Sequence, residues 1–445
     1  SSGIGTLICI LCTKGKSPVY LGSSFAFIAP LAAAYLKGGV AGAMTGTMVV
    51  GLIYVVVAII IKIAGKGWIH KLLPPVVIGP MIMIIGLGLA PNAISQIGLS
   101  TGTQLDWKGI VVALVSFLVT AIVMTKAKGF LKIIPFLVGI VTGYIVSICL
   151  GMVDFAPIGE AGFFSMPEFI IPFKDYVPSF AAILTIAPIA LVTMAEHIGD
   201  HTALSAIIKK DLLTNPGLDR TLLGDGIATF VAGALGGPAN TTYGENTSVV
   251  GMTKVASVWV IGLAAIIAIG LAFLGKFTAI VSSIPDPVLG GVSLLLYGFI
   301  AVNGLKVLIQ NQLDFEDPKN VVVASSMLVL GLGGAAISIV NGDLSLTISG
   351  MSLAAVVGIL LNLFIPANKT EEELKAEEQK KALKKKQKQE KKDERKSQKE
   401  LKNTEDKLNK DKKSKEKDTK TKQKEKSAEY KPKEGKKKGK EKLKV

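Results

Sequence analysis

Three acidic residues interrupt stretches of this chain that are otherwise apolar. Glu196 and Asp200 lie in Met194-Ala-Glu-His-Ile-Gly-Asp-His201, and Glu245 lies in Thr242-Tyr243-Gly244-Glu245-Asn246-Thr-Ser248. A charged side chain is costly at the centre of a bilayer, so an acid inside an apolar span marks function by default. Glu196 and Asp200 are four residues apart and share one helix face. Two neighbouring carboxylates cannot both stay ionised cheaply, so one of them is expected to hold a proton near neutral pH. His201 follows directly and extends the candidate proton path, together with Glu245. A carboxylate also accepts two parallel N–H donors in one plane. Backbone N–H groups near Gly244 could donate to a ring carbonyl, and Phe25 could stack on a flat ring. Together these groups suit a flat heterocycle such as a nucleobase, bound and released in step with a proton.

Each of these residues also has a plainer reading. Glu196 could lie at a helix end near water, and Asp200 and His201 could be solvated at such an end. His197 points away from Glu196 and reads as a packed or interfacial histidine. Phe25 could be ordinary core. Asp225, between Gly224 and Gly226, reads as a helix-start residue, and Asp286 and Asp314 as loop acids.

The elements that must position these groups are membrane spans. Crossing a bilayer takes about 20 apolar residues in a helix, and such runs recur along residues 1–366. Thirteen segments are expected, at about 2–13, 20–36, 39–63, 72–95, 108–125, 130–152, 179–199, 221–236, 241–252, 255–275, 287–308, 320–340 and 345–365. The connections after the odd-numbered segments hold Lys14, Lys16, Lys66, Lys71, Lys126, Lys128, Lys209, Lys210, Arg220, Lys254 and Lys306. The opposite set is acidic, with Asp154, Glu160 and Glu168; Lys37, Lys174 and Lys276 are its exceptions. The Lys-rich side is therefore expected to be cytoplasmic, with the C-terminal tail on the same side.

Two correspondences point to an internal repeat. Pro75, Gly79 and Gly86 open the fourth segment with the spacing of Pro287, Gly291 and Gly298 in the eleventh. Segments 2 and 9, also seven apart, are the two interrupted by Gly, Ser and Thr, at Tyr20-Leu-Gly-Ser-Ser-Phe25 and at Thr242–Ser248. An odd separation inverts the second copy, and paired broken segments mark a transporter's binding site.

Charge and cysteines add little about the ligand. The formal net charge is +16, but residues from about 367 hold 32 of the 50 basic and 18 of the 34 acidic side chains. The tail, 367–445, has no apolar periodicity and is expected to be disordered, with attraction to an anionic lipid surface or to RNA set against a simply solvated role. Cys9, Cys12 and Cys149 give no disulfide or metal framework. No metal cluster, phosphate loop or activated nucleophile is visible, which argues against an enzyme.

The longer motifs resemble the nucleobase–ascorbate transporter family (nucleobase:cation symporter-2), most closely its bacterial uracil permeases. They are Leu21-Gly-Ser-Ser-Phe25-Ala-Phe, Ala195-Glu196-His197-Ile-Gly, Lys209-Lys-Asp-Leu-Leu with Pro216-Gly-Leu, Asn240-Thr-Thr-Tyr-Gly-Glu-Asn246 and Gly290-Gly-Val-Ser-Leu-Leu-Leu-Tyr-Gly298. The resemblance covers residues 2–365. It implies an all-α polytopic fold of two inverted repeats of seven spans, with the thirteen segments matching the second to fourteenth and the first missing. A core domain (about 1–70 and 179–275) and a gate domain (about 71–178 and 276–366) are expected. Glu196 and Glu245 would bind the pyrimidine, Phe25 would pack on the ring, and Tyr243 and Gly244 would complete the pocket.

Two departures qualify the match. Asp200 stands where uracil permeases can carry His, which resembles purine-transporting members; Ser248 replaces a usual Gly. Glu245, where purine members typically carry Gln, favours uracil. The expectation is thus proton-coupled uracil import across the cell membrane by alternating access, with no cofactor beyond the coupling proton. Xanthine or another purine is the first alternative, and an anion channel or carrier of related architecture the second. A homodimer is compatible with this reading.

Overall fold

A computed structural model describes residues 1–366 apart from 103–104, 168, 171–179, 342–343 and 349. These residues belong to one unit, Ser1–Ala367. The Lys-rich tail lies outside the described residues, as do Lys174 and Glu168.

Every apolar run foreseen from the sequence contains a helix. The first is α1 (Ser2–Cys12), followed by an extended segment and a short strand, β1 (Leu21–Ser23). A single 3-10 turn at Phe25–Phe27 then leads into α2 (Ile28–Ala64). Ser24 caps that turn by accepting a hydrogen bond from the Ala26 backbone N–H, as N-cap hydroxyls do. The second and third expected spans are continuous in α2 except at Gly38 and Gly39, where the backbone leaves helical geometry and Gly39 takes φ +60°. Glycine reaches that conformation without a Cβ penalty.

Next come α3 (Gly67–Leu72), α4 (Pro75–Gly88) and α5 (Ala90–Ile97), the last ended by Gly98 in the left-handed region. Asp106 caps α6 (Trp107–Lys126), accepting from the N–H groups of Lys108 and Gly109. After α7 (Pro135–Cys149) and the short α8 (Ala156–Glu160), the second half opens with α9 (Phe180–Ile186) and α10 (Ile189–Ile208). There follow α11 (Leu218–Ala234), β2 (Asn240–Thr242), α12 (Gly244–Thr253), α13 (Val258–Ala272) and α14 (Gly275–Ser282). The chain ends its described part with α15 (Asp286–Gln310), α16 (Pro318–Leu332), the strands β3 (Ile337–Asn341) and β4 (Leu344–Ile348), and α17 (Gly350–Phe364).

Among the described residues five helical stretches are long and apolar enough to cross a membrane: Phe25–Ala64, Pro75–Ile97, Trp107–Lys126, Phe180–Ile208 and Asp286–Gln310. Five shorter apolar helices accompany them. The surface is that of a protein solvated by lipid. On α6, Val111, Leu114, Leu118 and Ile122 are exposed along one stripe. Ser116 and Thr120 turn inward instead, with their hydroxyls returned to the carbonyls of Val112 and Ser116. They face Gly139 and Gly143 of α7, where any Cβ would overlap them. Small residues at helix contacts replace the hydrophobic drive that is absent in lipid.

The structure corrects three sequence expectations. The helix of the seventh segment does not end at 199 but continues to Ile208, so Glu196 and Asp200 sit inside it rather than at its end. The twelfth segment stops being helical at Leu332; Ile337–Asn341 and Leu344–Ile348 pair instead as the antiparallel strands β3 and β4. Asp225 does not start a helix: α11 begins at Leu218, and Asp225 is fully buried in its interior.

The repeat positions have a packing role. Helices α4 and α15 lie against each other, with Gly79 facing Leu308 and the Gly304 carbonyl, and Gly86 facing the Tyr297 carbonyl. Gly291 faces the Ala113 carbonyl of α6, whereas Gly298 has open space around it. Three of the four glycines therefore allow close backbone approach.

Candidate functional site

The two interrupted segments meet. Strands β1 and β2 pair antiparallel, Leu21 with Thr242, Gly22 with Thr241 and Ser23 with Asn240. Each strand runs straight into a helix start, at Ser24–Phe25 and at Tyr243–Gly244. The first N–H groups of a helix have no partner within it and carry partial positive charge. The pairing therefore satisfies backbone groups at membrane depth, where unpaired ones are costly, and leaves two helix N-termini beside one place.

Helix α10 passes that place and is tied to both strands. Ser24 Oγ donates to Glu196 Oε2 at 3.1 Å, and Thr242 Oγ1 donates to Asp200 Oδ2 at 2.8 Å. Glu196 and Asp200 fall on one face because they are one turn apart, while His197 projects to the other side. There His197 Nδ1 meets Asp225 Oδ2 of α11 at 2.8 Å, both side chains fully buried. His201, also fully buried, stacks on His197 with ring centroids 4.1 Å apart. Its Nε2 lies 3.2 Å from Ser17 Oγ and its Nδ1 3.0 Å from the His197 carbonyl.

A cavity of about 660 Å³ opens at the strand crossing, within the usual size of a small-molecule pocket. Phe25, Glu196, Asp200, Tyr243, Gly244 and Glu245 all line it. His201 does not, lying behind α10 on the side away from the cavity. Tyr243 OH contacts Ser23 Oγ at 3.3 Å, and a Cβ on Gly22 would overlap the Tyr243 ring, so only glycine lets that ring lie over β1. A Cβ at Gly244 would stand 3.2 Å from Asp200 Oδ1 and 3.6 Å from Asn303 Nδ2; the bare residue brings the α12 backbone up to both.

The opposite wall comes from α4 and α15. Ile78 and Ile82 supply apolar surface, and Ile300, Asn303, Lys306 and Gln310 line the cavity from α15. Phe25 makes an edge-to-face contact with Tyr297 of α15, ring centroids 5.7 Å apart. Lys306 Nζ donates to Asn303 Oδ1 at 3.3 Å. Asn303 and Lys306 were not among the residues singled out from the sequence. The sequence marks Lys306 only as a cation of the connection after the eleventh segment, whereas it lies inside α15, and no motif distinguishes Asn303. Among the described residues no group of three or more His, Cys, Asp or Glu is placed to hold a metal ion.

A cavity with acids on one wall, reached by two broken spans inside an apolar helical body, defines a multi-pass membrane transporter. A "Permease family" model matches residues 1–340. The chain is 47% identical over 380 residues to the uracil permease of Bacillus caldolyticus, covering 85% of this chain and 87% of that one. It is 46% identical to the uracil permease of Bacillus subtilis (strain 168), covering 85% and 88%. Among solved structures, the transmembrane domain of a cyanobacterial bicarbonate transporter, BicA, superposes with a TM-score of 0.55 at 16% identity, covering 81% of this chain and 88% of that chain. At that identity the likeness shows the fold alone, the 7+7 inverted-repeat transporter fold. The chain belongs to the nucleobase–ascorbate transporter (nucleobase:cation symporter-2) family, and is a permease rather than an enzyme.

Proposed function

We propose that this permease imports uracil together with a proton by alternating access. The observation that carries the reading is the placement of Glu196, Asp200 and Glu245 around one cavity at the crossing of the two broken segments. A uracil edge offers two N–H donors and two carbonyl acceptors around a flat ring. Carboxylates at Glu196 and Glu245 accept the donors, and the free N–H groups at the start of α12 meet a carbonyl. Phe25, held edge-on by Tyr297, covers the ring. The names of the relatives, uracil permeases at 46–47% identity, agree with that substrate.

Proton coupling follows from the same carboxylates. Acids brought close together in a space that excludes water favour a shared proton, and a proton held on one of the three leaves the others ionised as acceptors for the bound N–H edge. Substrate and proton occupancy are therefore interdependent at one site. Alternating access uses the two walls of the cavity. We assign α1 to α3 and α9 to α13 to a core domain carrying the acids, and α4 to α8 and α14 to α17 to a gate domain presenting Ile78, Ile82 and Asn303.

The direct test is uptake of labelled uracil into proteoliposomes under an imposed pH gradient, with Glu245→Gln beside the unaltered chain. Uptake that needs the gradient and is lost in the variant is expected. Uptake unchanged when the gradient is collapsed removes the proton coupling. A second substrate, xanthine, is favoured by one feature, the acid at position 200. Competition by xanthine at concentrations similar to those of uracil would move the assignment to purines.

A further inference from the structure

A second cavity, of about 930 Å³, lies at the ends of α10 and α12 away from the strand crossing. It forms where the segment between α1 and β1, the end of α10 with the connection that follows it, the end of α12 and the start of α13 come together. Three exposed lysines, Lys16, Lys210 and Lys254, stand around it. Its wall is apolar and more buried, with Ile208, Val250 and Val258.

The lysines are not neutralised. Lys210 and Lys254 make no side-chain hydrogen bond or ion pair among the described residues, and Lys16 Nζ meets only the neutral amide Oδ1 of Asn215, at 2.7 Å. Asp211 is the one acid lining this cavity, and it is committed to its own turn. It accepts from the Leu213 and Thr214 N–H groups and from the Thr214 hydroxyl. The cavity thus keeps an excess of positive charge beside an apolar wall.

Its depth in the membrane is marked by Trp259, which follows Val258 and is 89% exposed. Exposed tryptophan favours the headgroup level, and the Lys-rich connections that hold Lys16, Lys210 and Lys254 favour the cytoplasmic leaflet. A water-soluble anion would use the cationic rim but not the apolar wall, whereas an anionic phospholipid uses both.

We propose that this cavity binds an anionic phospholipid of the cytoplasmic leaflet, its phosphate among Lys16, Lys210 and Lys254 and its upper acyl chain along Ile208, Val250 and Val258. The site is separate from the substrate cavity and does not depend on which substrate is carried. Ile207 borders both cavities, so the lipid rests against the far ends of the two helices that bear Glu196 and Glu245.

Trp259 gives a local reporter. With Trp68→Phe and Trp107→Phe it becomes the chain's one tryptophan, and phospholipids brominated on the acyl chain quench it on contact. The full chain is placed in phosphatidylcholine nanodiscs containing brominated phosphatidylglycerol or, in parallel, brominated phosphatidylcholine. Stronger quenching by phosphatidylglycerol at equal mole fraction is expected. The preference should fall roughly five-fold for each of Lys16→Gln, Lys210→Gln and Lys254→Gln, about 1 kcal/mol per lysine near an anionic surface. Lys126→Gln with Lys128→Gln, equal in charge loss to a pair of these but off the cavity, should leave it intact. Equal quenching by the two lipids overturns the proposal. So does a preference that survives the triple variant, or one lost equally with the Lys126 and Lys128 pair, because general surface charge then explains it. Relief of quenching by millimolar inorganic phosphate would reassign the cavity to a soluble anion and overturn the lipid.

Discussion

The strand crossing and the α4–α15 contact are both places where two distant parts of the chain come close, yet they do so by opposite means. At the crossing, contact is polar: β1 and β2 exchange backbone hydrogen bonds, and Ser24 and Thr242 reach out to Glu196 and Asp200. Between α4 and α15, Gly79, Gly86 and Gly304 let backbone meet backbone and side chain with no polar side chain between them. Close packing without side-chain hydrogen bonds gives a firm support, whereas a hydrogen-bonded crossing can exchange partners when a ligand arrives. A transporter needs both, a wall that keeps its shape and a site whose bonds can be replaced by those of the substrate.

Substitutions can break this contrast, and the largest effect is expected at the acids. Glu196→Gln removes a charged acceptor for a substrate edge, at about 1.5–3 kcal/mol for each such hydrogen bond. With one such bond weakened, uptake should fall by roughly ten- to a hundredfold, while thermal unfolding in detergent stays near that of the unaltered chain. An unfolding midpoint that drops together with uptake would make Glu196 structural.

On the packed side, Gly86→Val drives a branched side chain into the Tyr297 carbonyl and Ala301. Overpacking of this kind costs about 1–3 kcal/mol and should appear as a lower unfolding midpoint. The matching control is Gly298→Val, at the equivalent repeat position but with open space around it, and it should be close to neutral. If both variants behave alike, the contact is not what these glycines provide.

Between these two in kind lies the His197–Asp225 pair. Asp225→Ala leaves His197 buried without its one side-chain partner, and an orphaned buried polar group costs about 1–3 kcal/mol. Stability should fall, and uptake with it, whereas Asp225→Asn, which keeps an oxygen near Nδ1, should recover most of the stability. The smallest effect is expected for Thr242→Val, which removes one hydrogen bond to Asp200 and should weaken apparent substrate affinity by about five- to tenfold. Uptake unaffected by this change would mean that Asp200 is not positioned by β2.

Much of this is legible in the sequence alone. The apolar runs located the helices, because lipid-facing residues such as Leu114 and Leu118 must be as hydrophobic as core ones. The Gly- and Thr-rich interruptions located the crossing, since such residues are out of place in an ordinary span. The rest was hidden for physical reasons. Residues 337–348 are rich in Ile, Leu, Ser and Thr, a mixture that suits a strand or a membrane helix equally, so the β3–β4 pairing was invisible. Asp225 sits between two glycines, which looks like a helix start until His197, 28 residues earlier, is found against it. Asn303 carries no local signal at all; only the approach of α15 to Gly244 brings it to the cavity.

The pairing of β1 with β2 also has a consequence for biosynthesis. Leu21 meets Thr242, so one side of the site leaves the ribosome more than two hundred residues before the other. At about 5–20 residues per second, that interval is on the order of ten to forty seconds. Throughout it, β1 has no strand partner, and the first half of the chain has neither the acids of α10 nor that of α12. A nascent permease therefore lacks the paired strand crossing, and the cavity beside it, until its second half has been inserted.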